Sequence, residues 1–279
     1  MNALEYAKQA NGSFALPDAC FKVKALMEDD DSTTEDFANV ISVDPSMTSR
    51  LLQIANSAIY SFPGEISTIS RAVTIIGTQA IYNMMLVDVA ATAFKHFSTQ
   101  SIDLKRFWHM SVFCGLATKN LAITAGIRDI ERLFVAGLLQ NFGELIVAKV
   151  SPELAKQCEA YSADILPWQL QQKVLGFTYT EVSAELLKIW QISEKIILPI
   201  RHYNNAQKID INKDVKVMYL ASRLALVECH PEIFDYDDNV DAALCQSLNF
   251  SSGDLEAAAN FATIETDNIL NIMNAKFYG

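Results

Sequence analysis

Chemistry in this chain would have to come from a small stock of groups, because it holds only four histidines and five scattered cysteines. His109 follows Trp108 in FWHMS, and His202 lies in PIRHYNN. Imidazoles with carboxylates can hold a transition metal or move a proton near neutral pH. Between these two histidines lies AGLLQNFGELIV, residues 136 to 147, a greasy helical run that carries Gln140 and Asn141, with Glu144 one turn beyond Gln140. Amides offer a carbonyl oxygen but no charge. A hydrolytic metal centre needs three or more protein ligands and usually a carboxylate, so His109 and His202 alone fall short. Glu144 is expected to face solvent or pair with a nearby cation rather than complete such a set. His109, on a helix with a broad apolar face, reads as a hydrogen-bonded interior histidine. Cys229-His230, with Pro231 after it, reads as a helix end and not as a metal clip. No P-loop, GxSxG elbow or dinucleotide fingerprint is present.

The elements that position these groups are punctuated in helical terms. Apolar residues recur at helical rather than alternating spacing, and ten glycines and seven prolines are few for 279 residues, so the fold class is all-α. Thr33 or Thr34 caps a helix with Glu35 and Asp36 in its first turn, which makes DDDSTTEDF a helix entry and not an EF-hand loop. Asp44-Pro45 opens SMTSRLLQIANSAIY, and Asn56 and Ser57 read as polar residues that satisfy its last carbonyls. Ser67 or Thr68 caps ISRAVTII, Gly77 stops it, and Thr78 caps a long helix to about Phe97. The polar gap STQS, 98 to 101, divides an N-terminal helical subdomain, 1–98, from a helical core, 99–279. A helix from 103 to 125 ends at Gly126, Asp129 caps the Gln140-Asn141 helix, and Pro152 and Pro167 start two more. Five further helices follow, TEVSAELLKIW, SEKIILPIRHYNN, KDVKVMYLASRLALVECH and two C-terminal ones, with a kink expected at Pro199.

Composition narrows the partners. Hydrophobic residues make up 51% of the chain, enough for a substantial core. A net charge of −11 opposes binding through a phosphate backbone, so no nucleic acid is expected. IYNMMLVDVAATAF, 81 to 94, is the longest greasy segment noted; it is too short to span a bilayer and contains Asp88, so no membrane partner is expected either. The start lacks the pattern of a secretion signal, and the odd, unpaired cysteines suit a reduced compartment, the cytoplasm.

The run DPSMTSRLLQIANSAIYSFPGEISTISRAVTIIGTQAI carries Asp44-Pro45, Leu51-Leu52 ahead of Ala55-Asn56-Ser57, the Ile66 to Ala72 segment and Ile76-Gly77. It resembles the N-terminal half of the HDOD family, the HD-related output domain of bacterial signalling proteins. FVAGLLQNFGELIV, GFTYTEVSAELL and PIRHYNN resemble the core shared with metal-dependent HD phosphohydrolases and HD-GYP cyclic-dinucleotide phosphodiesterases. In those catalytic relatives, an earlier His, a His-Asp pair and a later His or Asp bind one or two metals, and metal-bound water attacks a phosphate ester.

The resemblance matches the earlier position to His109 and the pair to Gln140-Asn141. It matches the later positions to Tyr179, in Gly176-Phe177-Thr178-Tyr179, and to His202, Tyr203 and Asn204. It therefore implies a degenerate site with no catalytic residue, no metal and no cofactor. The implied function is a non-catalytic output or scaffold module. Its N-terminal subdomain and the cleft between its halves would present a surface to a signalling protein of a two-component or cyclic-dinucleotide pathway, or to a small regulatory ligand. The chain has no receiver, GGDEF or EAL segment, so input is expected from a separate protein. The alternative is a divergent metal-dependent phosphohydrolase acting on a nucleotide or cyclic dinucleotide through His109, His202 and Glu144. A weaker third reading has Arg50, Arg71 or Arg201 meeting a phosphate.

Overall fold

The computed structural model describes residues 1–11, 16–57, 60, 62–93, 102–205, 208–209 and 212–274. It is 73% helical, with no strand among the described residues and one isolated bridge, Ser162 to Ile165. The fold class is all-α, as the helical spacing predicts. The chain forms two compact units, Ala15–Phe97 with Asp267–Gly279, and Met1–Phe14 with Ser98–Thr266. The expected boundary segment, 98 to 101, lies outside the described residues. Helices are numbered α1 to α17 in chain order.

The smaller unit contains α2 (Asp18–Met27), α3 (Thr34–Ile41), α4 (Pro45–Ala55), α5 (Ile69–Ile76) and α6 (Thr78–Ala93). Thr33 and Asp36 close a reciprocal capping box on α3, Asp44 caps α4, and Thr68 caps α5. Asn56 works as a staple as well as a cap. Its amide nitrogen donates to Leu52 O and Ile66 O, and its carbonyl accepts from Ile66 N at 2.8 Å. Gly77, at φ 88°, lets the chain turn through 119° between α5 and α6. Thr78 is the first residue of α6 rather than its cap, and the expected extension to Phe97 runs past the described residues. Asp88 is buried on α6 and takes a two-pronged ion pair from Arg50 of α4. That pair occupies Arg50, one of the arginines considered for phosphate.

The larger unit contains α1 (Ala3–Asn11), α7 (Leu104–Thr124), α8 (Glu131–Leu139), α9 (Phe142–Val150), α10 (Pro152–Cys158) and α11 (Pro167–Leu175). It continues with α12 (Tyr179–Ile189), α13 (Glu194–His202), α14 (Lys213–Cys229), α15 (Tyr236–Asn239), α16 (Ala242–Ser247) and α17 (Ser252–Asn274), the last up to Thr266. The long α7 packs against both α8 and α14. A Cβ on Gly137 would lie 2.7 Å from Gly115 Cα, so α7 and α8 touch backbone to backbone. Pro152 and Pro167 open α10 and α11 as expected. Pro199 lies inside α13.

Three sequence expectations are corrected here. Asp129 does not cap α8: it sits at φ 57°, Ile130 holds the cap position without a side-chain bond, and the Asp129 carboxylate faces Arg132 at 3.6 Å. Gln140 and Asn141 do not lie within one helix but at the junction between α8 and α9. Among the described residues, Glu131–Val150 is a stretch long and apolar enough by composition to cross a membrane, longer than 81 to 94, and most of it is buried inside its own unit as core. The helix α1 was not singled out in the sequence. It packs on α12 through Tyr6, whose hydroxyl donates to Ser151 Oγ at 2.8 Å and whose ring meets Phe177 at 5.4 Å.

Candidate functional site

The junction between α8 and α9 forms the floor of a cavity inside the larger unit. Its position is fixed by a close helix approach. A Cβ on Gly143 would lie 2.0 Å from Tyr179 O, so only glycine lets the start of α9 meet the start of α12. Gly143 N donates to Ser183 Oγ at 2.8 Å, and Ser183 Oγ donates to Tyr179 O at 3.1 Å. Thr178 caps α12 through a capping box with Glu181, which sets Tyr179 at the first helical position. Phe107, Trp108 and Phe142 pack edge-on or tilted, with ring centroids 5.2 to 6.0 Å apart. The resulting cavity measures about 60 Å³, room for a few waters. Through Thr180 and Asn204 it shares a wall with an open cleft of about 430 Å³ that Arg201 lines.

Of the sequence-predicted positions, Gln140, Asn141, Tyr179, Tyr203 and Asn204 all line this cavity. The Tyr203 hydroxyl donates to Gln140 Oε1, and the Asn141 amide donates to Glu144. His109 and His202 are not among the lining residues. His109 is 31% exposed and lies 3.9 Å from Glu228, so it is neither an interior histidine nor a member of the site. The residue that α7 places in the cavity is Arg106, three positions earlier. His202 closes α13 while its neighbour Tyr203 turns inward. Burial, together with Arg201 and Lys208, pushes the His202 pKa below its ordinary value.

Glu144 departs from its expected solvent-facing place: its side chain is 7% exposed, although it does pair with a cation. The Arg106 guanidinium lies 3.4 Å from Glu144 and 2.7 Å from Glu159, and donates to the Tyr161 hydroxyl at 3.2 Å. Tyr161 in turn lies 3.0 Å from His230 Nε2. Burial and the neighbouring Glu159 push the Glu144 carboxyl up to about 7, against the pull of Arg106 and the Asn141 hydrogen bond. Burial opposes the Arg106 charge, yet Glu144 and Glu159 outweigh it and hold the guanidinium protonated. Burial and Arg106 lower the His230 pKa, which favours the neutral ring. His230 does end α14, as its sequence context predicts, but it also lines the cavity.

Sequence reading therefore missed Arg106, Glu159, Tyr161 and His230 as site residues. One signal was present: Glu144 stands inside the greasy run FGELIV, and a charge flanked on both sides by core residues needs a partner. Arg201, the third arginine considered, is committed to Glu185 at 3.0 Å and Glu194 at 3.8 Å.

The HD phosphohydrolases that the sequence resembles imply a metal, and the donor set in this cavity does not fit one. Among the described residues, no three His, Cys, Asp or Glu side chains come together to hold an ion. Gln140 and Asn141 are neutral and hydrogen-bonded, and the two carboxylates already share a guanidinium.

Comparison with known proteins follows the same lines. The chain is 25% identical over 193 residues to an uncharacterized protein of Treponema pallidum (strain Nichols), a match covering 68% of this chain and 37% of that relative. This chain therefore accounts for well under half of that relative's length. A Shewanella amazonensis SB2B structure provisionally named a phosphohydrolase aligns at TM-score 0.70 and 23% identity over 96% of this chain and 97% of its own. A Geobacter sulfurreducens HDOD domain protein of unknown function aligns at TM-score 0.62 and 19% identity over 97% and 95%. At these identities both show a shared fold. The HDOD domain description itself matches residues 14–206, more than half of the sequence, and the chain belongs to the HDOD family.

Proposed function

We propose that the chain is a non-catalytic signal-transduction module, one that binds a signalling protein of a two-component or cyclic-dinucleotide pathway or a small regulatory ligand. The observation that carries this reading is the commitment of the cleft's carboxylates, its guanidinium and the Gln140 and Asn141 amides to one another. Tyr203 engages Gln140, Asn141 engages Glu144, and Arg106 engages both carboxylates, so the groups that hydrolysis would require are already used. A net charge of −11 favours protein or small-molecule partners over nucleic acid. Five free cysteines, four of them buried, suit a reducing cytoplasm.

The test is metal content by mass spectrometry on untagged protein purified without chelator, with turnover measured on bis(p-nitrophenyl) phosphate and cyclic dinucleotides in manganese, iron and nickel. Sub-stoichiometric metal and no turnover are expected throughout. One or two tightly held ions per chain, with turnover lost in Glu144→Gln, would overturn the proposal in favour of a divergent phosphohydrolase.

A further inference from the structure

Two acids and one base meet in the cleft, and their arrangement is that of an ion site whose ion belongs to the chain. The Glu144 and Glu159 carboxylates approach a single guanidinium nitrogen, Arg106 Nη2, at 3.4 and 2.7 Å. The other terminal nitrogen donates to Tyr161, which connects the group to His230. Glu144 is nearly sealed from solvent, and a buried carboxylate without a cation is strongly disfavoured. Asn141, at the helix junction, takes its place by donating to that same carboxylate. The Arg106 side chain is therefore the source of positive charge on which the carboxylates and, through Glu144, the junction depend.

We infer that Arg106 is the built-in cation of the cleft, standing for the divalent metal that the HD architecture implies, and that it closes the carboxylates to metal ions. This rests on the non-catalytic reading and says what makes the cleft so. A neutral replacement should leave two carboxylates, with the Asn141 carbonyl and water, as an oxygen-rich set suited to a hard ion such as manganese.

The experiment compares wild type, Arg106→Met, Arg106→Lys and Arg106→Met/Glu144→Gln/Glu159→Gln by thermal melting in EDTA and in 1 mM manganese chloride, with bound manganese counted per chain. Wild type should melt at the same temperature in both and carry no manganese. Arg106→Met should melt several degrees lower in EDTA and recover in manganese with about one ion bound, more completely at pH 8 than at pH 6, because binding must displace a proton. Arg106→Lys should stay close to wild type and metal-free. The triple variant, with no charges left to balance, should fold in EDTA and bind no manganese, so that failure of Arg106→Met to fold alone in EDTA remains interpretable. The inference is overturned if Arg106→Met melts like wild type in EDTA, or if it is destabilised and neither binds manganese nor is rescued by it. Manganese in wild type would instead defeat the non-catalytic reading first.

Discussion

At the scale of single residues, Glu144 decides how the cleft responds to pH. Its ordinary pKa of 4.5 rises to about 7 in the fold, with burial and Glu159 as the main causes. Between those values the folded protein keeps a proton that the unfolded chain has released. Raising the pH through this window therefore costs stability, on the order of 3 kcal/mol by pH 7. Chemical denaturation across pH 4.5 to 7.5 should show that decline in wild type, and Glu144→Gln, which cannot ionise, should flatten it. A slope that survives the substitution would assign the titration to another group. The sequence made half of this site legible. Gln140, Asn141, Tyr179, Tyr203 and Asn204, singled out on the resemblance, all line one cavity. His109 was misread because residue type drew attention to the histidine, whereas the direction of the α7 face, which brings Arg106 inward, is set by tertiary packing against α8 and α14.

At the scale of elements, the local signals were the most readable. Thr33, Asp44 and Thr68 cap the helices their spacing predicts, since capping depends on residues within one turn. The misses are of two kinds: Asp129 takes a positive φ and pairs with Arg132 three positions on, and α1 is held by a long-range contact from Tyr6 to Ser151. The contact most specific to the site is the approach of α9 to α12 at Gly143. A methyl group there would meet Tyr179 O at 2.0 Å and force the two helices apart. Gly143→Ala should lower stability by about 1–3 kcal/mol in urea unfolding. It should also move the near-ultraviolet signal of Tyr179 and Trp168 at the cavity wall. A variant as stable as wild type would show that α9 can shift freely and that the cavity shape is not fixed by this crossing.

At the scale of the whole molecule, the family match ends at residue 206, but the cleft does not. Ser222, Leu226 and His230, all in or just after α14, complete its wall, and α14 packs along α7. A chain stopped after residue 206 would expose the flank of α7 that α14 covers. It should lose the cooperative melt seen by circular dichroism in the full chain and bind hydrophobic dyes. Retention of a sharp melt would mean that α14 is an addition to the unit and not part of its core. Little of this was visible beforehand, because helical spacing of apolar residues shows that a helix such as α14 has a buried face but not which neighbour covers it.

The ion triad of Arg106, Glu144 and Glu159 also bears on supply. An enzyme with a dissociable metal is only as complete as its surroundings allow, and it competes with every other chelator for a scarce nutrient. A guanidinium is made with the chain, in fixed proportion to it, and cannot be exchanged for a wrong ion. On the proposal above, the cleft would be assembled as soon as the helices are, equally in metal-starved and metal-replete surroundings.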